Sequence, residues 1–364
     1  MLSIFEAENL SVVKTLLRLL RRLLIAIAIV ILGSCVELAL PSQQLNTAPA
    51  ISDPVDRAPN SNVDVIVNIA PTPTPAPTLT ATPLPTFTST PSPSPVPVTN
   101  LRPALPDRCR EKSGRLADGY FPSKIIGQSQ HYRIYLPPCY DYPDNRTKYP
   151  AIYLFHGSPM DEQHWINIGV ANAADRLIGS GELPPFIIVM PRADLEGTYN
   201  YSNGGNNSWE GVVVNELMPY ISRNYRTLET RDYRAVGGIS RGGVWSLEIA
   251  FRHPDLFESV GGHSPALSVN LSGPEYYPLV LAKTASIGSL RIYLDAGQQD
   301  WTRASALQLS KVLADRHLPY TFTTAPGDHE NDYWASQVEA YLRFYAAPWK
   351  MEKIVAAQLA SQTP

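Results

Sequence analysis

The 364-residue chain has no surplus of positive charge: 30 Lys and Arg stand against 33 Asp and Glu, leaving a net charge of -3 and a pI near 6.2. Without a basic field there is nothing to collect phosphate backbones or anionic lipid, so nucleic acid is not an expected partner. The uncharged apolar stretch from Leu23 to Val36 falls short of the ~20 residues that a hydrocarbon core demands, which argues against a permanent transmembrane helix. Cysteine is scarce, with three in the whole chain. No cluster of ligating side chains suggests a metal, and no cofactor of any kind is expected. Helical and strand periods are both missing from about Val36 to Thr99, and residues 71–98 contain no charge at all. Such sequence cannot bury enough apolar surface to offset its ordering entropy.

What fills that segment is proline alternating with Thr, Ser and Ala, a large share of the 34 prolines in the chain. It reads as a polyproline-like stalk extending roughly 3.1 Å per residue, a spacer that gives reach to whatever it carries. Ahead of it, Lys14, Arg18, Arg21 and Arg22 run into the apolar stretch in the order of an export signal. An uncut signal anchor is the alternative. Leu32-Gly33-Ser34-Cys35 resembles the lipobox of bacterial lipoproteins, which implies cleavage before Cys35 and a lipidated N-terminal cysteine outside the cytoplasmic membrane. Cys109 and Cys139 then remain as a pair in an oxidising compartment, where a disulfide persists. The expected organisation is a leader at 1–35, a linker at 36–100, a folded domain at 101–350 and a C-terminal tail at 351–364.

From about Leu101 the pattern changes to short β-rich runs separated by helical segments. Strands are expected at His131–Leu136, Ala151–Phe155, Phe186–Met190, Tyr233–Val236, Glu258–Gly262, Arg291–Leu294 and Tyr320–Thr323. Helices are expected at Val212–Asn224, Gly242–Arg252, Ala304–Arg316 and Trp334–Tyr345. Several strands are continuous apolar runs, as central strands covered on both faces should be. The fold class is therefore α/β, three layers around a mostly parallel sheet, with any ligand site at the carboxyl ends of the strands.

The sharpest local signal is Gly238-Ile239-Ser240-Arg241-Gly242, between an expected strand and an expected helix. It fits a nucleophile elbow, where serine sits on a strained turn and flanking glycines let strand and helix approach. A serine hydroxyl needs a base within hydrogen-bond reach, and in this arrangement the chain order is Ser, acid, His. Of the downstream histidines, His317 ends an amphipathic segment, whereas His329 lies in Gly327-Asp328-His329-Glu330, a loop after a strand. His329 is the expected base. The acid must follow the strand Arg291–Leu294, and the candidates are Asp295 and Asp300. Asp295 continues the strand directly and is expected to hold the turn at Ala296 and Gly297, while Asp300, past that turn, is expected to orient His329. Oxyanion donors should be backbone amides. One is that of Arg241; the second is that of Ser158, or failing that Gly157, in the loop His156-Gly157-Ser158. His156 is expected to brace that loop.

Around these positions the chain resembles the "putative esterase" family of α/β-hydrolases, the group of esterase D, feruloyl esterases, enterochelin esterases and mycolyltransferases. The resemblance rests on Tyr135-Leu136-Pro137-Pro138, Tyr153 to Gly157, Asn215-Glu216-Leu217, Tyr225-Arg226-Thr227, Gly237 to Gly243, His253-Pro254-Asp255 with Phe257, and Gly327 to His329 with Trp334. It implies an α/β-hydrolase fold, serine ester hydrolysis, and Asp300 as the triad acid. Arg241 stands where the family commonly has Met, and Asp328 where some members have Gly. Trp209, Asn207, Tyr201 and His156 are candidate substrate contacts, aromatic faces beside amides being suited to a sugar or phenolic acyl group. A surface loop with Trp209 buried is the alternative. The expected substrate is an acetyl or feruloyl ester on a polysaccharide, with the membrane as partner through the lipid anchor only. Acyl transfer to a sugar hydroxyl, enterochelin-type hydrolysis, or a non-catalytic carbohydrate-binding module are the rival readings.

Overall fold

The computed structural model describes residues 109–193, 204–269 and 272–360. The expected leader, Cys35, the stalk and Tyr201 lie outside the described residues. Eight strands form one sheet in the order β1-β2-β4-β3-β5-β6-β7-β8. They are β1 Arg115–Ser123, β2 Gln128–Leu136, β3 Ala151–Phe155, β4 Ile187–Pro191, β5 Arg234–Ile239, β6 Ser259–His263, β7 Arg291–Gly297 and β8 Tyr320–Ala325. The first two join antiparallel at one edge, and β4, β3 and β5 to β8 run parallel. Every residue of β3, β4 and β6 is buried; β3 and β4 are unbroken apolar runs, as expected of strands covered on both faces, and β6 is made of small residues and Val260, closed by His263. The edge strand β1 mixes exposed and half-buried positions around Gly119, which is why its sequence carries no clear strand signal.

The helices are α1 His164–Asn167, α2 Val170–Gly179, α3 Trp209–Gly211, α4 Met218–Asn224, α5 Arg241–Arg252, α6 Pro278–Thr284, α7 Arg303–Asp315, α8 Asn331–Ala346 and α9 Met351–Ala360, with a π-helical stretch Val212–Leu217 linking α3 to α4. One core layer joins the sheet to α3 through α7, and a second joins its other face to α1, α2, α8 and α9. The stretch expected as a C-terminal tail thus contributes a helix to the fold. Ile354 is buried, the Tyr233 hydroxyl donates to the Lys353 carbonyl (2.8 Å), and the Gln358 amide donates to the Lys148 carbonyl (2.7 Å). Cys109 and Cys139 are joined by a disulfide, tying the entry to β1 to the turn after β2. Among the described residues no helix is long and apolar enough to cross a membrane.

The strand order places the chemistry. From β3 the chain moves out to β4 and then back past β3 to β5, so β3 and β5 are neighbours with Phe155 opposite Gly238. This is a topological switch point, where loops leaving adjacent parallel strands diverge and open a crevice. On the far side Gly297 of β7 pairs with Ala325 of β8, which sets the loops carrying Asp300 and His329 side by side.

Candidate active site

Ser240 occupies the turn between β5 and α5 with φ 56° and ψ -116°, a left-handed conformation that a non-glycine residue adopts only when its surroundings hold it there. Its amide donates to the His263 carbonyl (2.8 Å), and its carbonyl accepts from the amides of Val244 and Ala266. The flanking glycines are needed for close approach. A Cβ on Gly238 would lie 2.3 Å from the backbone of Gly242, and one on Gly242 would lie 2.5 Å from the Phe155 carbonyl oxygen.

The serine hydroxyl, the imidazole and the carboxylate expected to act together form one hydrogen-bonded chain. Ser240 Oγ lies 3.0 Å from His329 Nε2, and His329 Nδ1 lies 3.1 Å from both carboxylate oxygens of Asp300. Because Asp300 can only accept when ionised, Nδ1 carries the proton and Nε2 is left to accept from Ser240. Asp300 is 4% exposed, and burial by itself would raise its pKa. Hydrogen bonds from His329, Ser264 and the amide and hydroxyl of Thr302 outweigh burial and hold the carboxyl below its ordinary range. Two tryptophans bound the imidazole. Trp334 meets it edge-on at 5.0 Å between ring centroids, and the half-exposed Trp301 lies across it at 4.8 Å.

Asp295 does not hold the turn at Ala296 and Gly297. Its buried carboxylate reaches across to His263 Nδ1 (2.8 Å) and accepts from the hydroxyls of Tyr333 (2.8 Å) and Tyr341 (2.7 Å), binding β6 and β7 to α8. Strand β7 continues through Ala296 and Gly297, so no turn stands there to be held, and the Asp295 side chain instead faces α8, which supplies the two tyrosine hydroxyls.

The loop after β3 runs beside the nucleophile, close enough that a Cβ on Gly157 would lie 3.2 Å from Ser240 Cβ. His156 is buried with both ring nitrogens engaged, Nδ1 to the Gly157 carbonyl (3.0 Å) and Nε2 to the Ala193 amide (2.9 Å). It braces the loop and is not available as a substrate contact. The Gly157 amide donates to His164 Nδ1 (3.3 Å). Trp209 is likewise no open platform: it is 2% exposed and packs between Phe155 and Trp245 in the core. Asn207 is exposed on the adjoining loop, and His317 is exposed past the end of α7. His164, Ser264, Trp301 and Trp334 were not singled out as site residues from the sequence. Trp334, quoted in the family resemblance, and Trp301, next to Asp300, carried a positional signal; His164 and Ser264 carried none.

The profile of the family described as "Putative esterase" matches residues 123–345, which spans β2 to the end of α8 and includes all three residues of the hydrogen-bonded chain. The chain belongs to this family. Over 171 residues it is 32% identical to an endo-1,4-beta-xylanase/feruloyl esterase of Xylanibacter ruminicola, a match covering 45% of this chain and 22% of the relative. Over 162 residues it is 33% identical to an esterase of Mycobacterium tuberculosis, covering 44% of this chain and 34% of that one. The matched stretch is therefore about a fifth to a third of the length of these curated relatives. Among solved structures, a ferulic acid esterase superposes with a TM-score of 0.60 at 25% identity, covering 65% of this chain and all (100%) of its own. A ferulic acid esterase of Anaeromyces mucronatus, solved with ferulic acid, shares the fold with a TM-score of 0.55 at 23% identity, over 64% of this chain and 90% of that one. The architecture is thus the α/β-hydrolase fold of esterases. The one group of potential metal-ligating side chains among the described residues, Cys109, Glu111 and Cys139, has both thiols consumed by the disulfide.

Proposed function

We propose that this protein is a serine carboxylic ester hydrolase that works through an acyl-enzyme on Ser240. The observation that carries the reading is the unbroken chain from Ser240 Oγ through His329 to Asp300, set on a strained strand-to-helix turn. As Oγ attacks the ester carbonyl, His329 Nε2 takes its proton, and the carbonyl oxygen becomes an oxyanion. The amide of Arg241, at the N-terminus of α5, and that of Ser158 receive this charge. Of the two candidates in the β3 loop Ser158 is preferred, because the Gly157 amide is already given to His164. Collapse of the intermediate expels the alcohol, which takes the proton from His329. Water then attacks the acyl group by the same base and releases the acid. Asp300 keeps the imidazole in the required tautomer and balances the imidazolium.

The substrate class is an acetyl or feruloyl ester carried on a polysaccharide. Similarity to a xylanase/feruloyl esterase and to ferulic acid esterases supports this, as does the basic and apolar leader with its lipobox-like Cys35, which would place the domain outside the membrane on a long spacer. The test is an ester panel on the full chain, with acetylated and feruloylated xylan beside enterochelin-type and thioester substrates, together with fluorophosphonate labelling. Release of acetate or ferulate, lost by about 10⁶-fold in Ser240→Ala, is the expected result. Activity confined to siderophore or thioester substrates would overturn the substrate class, and absence of labelling at Ser240 would overturn the hydrolase.

A further inference from the structure

The β3 loop is held by two buried histidines, and their tautomers are fixed by what they touch. A backbone N–H can only donate, so His164 Nδ1, which faces the Gly157 amide at 3.3 Å, must be the bare nitrogen. Its proton then sits on Nε2, 2.9 Å from Asn331 Oδ1. By the same logic His156 Nε2 is bare, because it accepts from the Ala193 amide, and its Nδ1–H donates to the Gly157 carbonyl. That carbonyl also accepts from the Met160 amide (2.8 Å). Gly157 is therefore gripped on both sides, its N–H by one imidazole and its C=O by the other.

The grip has a directional consequence. The Gly157 carbonyl and the Ser158 amide belong to one peptide plane, and across a trans peptide they point opposite ways. Fixing the carbonyl toward His156 and Met160 fixes the direction in which the Ser158 N–H points. Two donors on that carbonyl also polarise the peptide and strengthen the N–H. His164 adds a second constraint, because Asn331 opens α8 two residues beyond His329, so the loop behind the nucleophile is tied to the loop that carries the base. The His164 ring meets Trp334 edge-on at 5.6 Å, and Trp334 in turn abuts His329.

We propose that His156 and His164 are the positioning residues of the oxyanion site, a neutral imidazole pair that aims the Ser158 amide at the acyl oxygen and keeps it in register with His329. This rests on the esterase reading above. Burial lowers the pKa of both rings, which keeps them in the uncharged state that the hydrogen bonds need. A protonated ring would turn N–H against N–H at Gly157 or Ala193.

The test compares His164→Leu, which removes both contacts, with His164→Asn, whose side-chain oxygen can still accept from the Gly157 amide. Each is made in the full chain, and folding is checked by thermal unfolding. Expected for His164→Leu is a fall in kcat of up to about 10²-fold with KM little changed, the low end of the loss when an oxyanion donor is removed. Affinity for a boronic acid, which mimics the tetrahedral intermediate, should fall by the same factor, and His164→Asn should recover most of both. Pairing His164→Leu with His156→Leu should cost less than the sum of the two, since both act on one residue. A folded His164→Leu with wild-type kcat, or one that loses kcat while binding the boronate normally, overturns the positioning role. A wild-type chain inert to esters and to fluorophosphonate instead removes the esterase reading, and this one with it.

Discussion

Asp300 and Asp295 lie five positions apart, both buried, yet their surroundings give them different work. Asp300 touches His329 and is steadied by Thr302 and Ser264, whereas Asp295 is spent on His263 and two tyrosines. Asp300→Asn should therefore cut turnover by up to about 10⁴-fold in a protein that still folds, because the amide no longer enforces the Nδ1–H tautomer. Asp295→Asn should lower the melting temperature instead, since the amide offers one acceptor oxygen to three buried donor groups, and a buried donor left unpaired typically costs about 1–3 kcal/mol. Steady-state kinetics and thermal unfolding of the two variants, side by side, check both statements; near-normal turnover in Asp300→Asn would reverse the assignment. Ser240, His329 and Asp300 were legible in the sequence because each sits in a loop whose place follows from strand order. The network of Asp295 was not, because its partners Tyr333 and Tyr341 lie some 40 residues downstream on a helix whose facing side only the packed structure defines.

Helix α5 carries the strain of the Ser240 turn at one end and a buried carboxyl in its middle. Glu248, 4% exposed, lies beside Glu210 of α3, and burial together with that neighbouring charge pushes its pKa up to about 8. Glu210 stays ionised despite its own burial, because His253, the Gly205 amide and Arg252 all donate to it. Glu248 is thus neutral at pH 7. With a folded pKa above the ordinary 4.5, its contribution to stability is complete below about pH 4.5 and is lost as pH rises toward 8. Glu248→Gln, neutral at every pH, should match the wild type near pH 4.5 and become the more stable of the two by pH 8. The gap should grow by at most about 1.4 kcal/mol per pH unit, and melting curves at pH 5, 7 and 9 would reveal it; parallel curves would show that Glu248 is ionised throughout. The strands of the parallel sheet and the helices α5, α7 and α8 were readable to within a few residues from apolar runs and amphipathic spacing. Helix α2, the edge strand β1 and α9 were not. Pairing and packing against distant segments stabilise these elements: α9 buries Ile354 in the second core layer and is tied by hydrogen bonds to Lys148 and Tyr233.

At the scale of the whole molecule, four loops that are far apart in sequence converge because the sheet order interleaves them: those after β3, β5, β7 and β8. The disulfide stands apart from that convergence, at the opposite edge of the sheet. Closing its loop should be worth about 3–4 kcal/mol in the chain-entropy picture, so reduction should lower the melting temperature while leaving the hydrogen-bonded chain at Ser240 and kcat intact. Mass spectrometry of the mature chain should find Cys109 bonded to Cys139 and diacylglycerol on Cys35; three free thiols would remove the argument for export. The bridge also decides where mechanical load would travel in a tethered protein. Tension arriving along the chain before Cys109 passes through the sulfur pair straight to Cys139, so residues 110–138, with the whole β1–β2 hairpin, are short-circuited. A pull on the tether would not peel the sheet open from its antiparallel edge. It would act first on the turn ahead of β3, one strand away from the nucleophile.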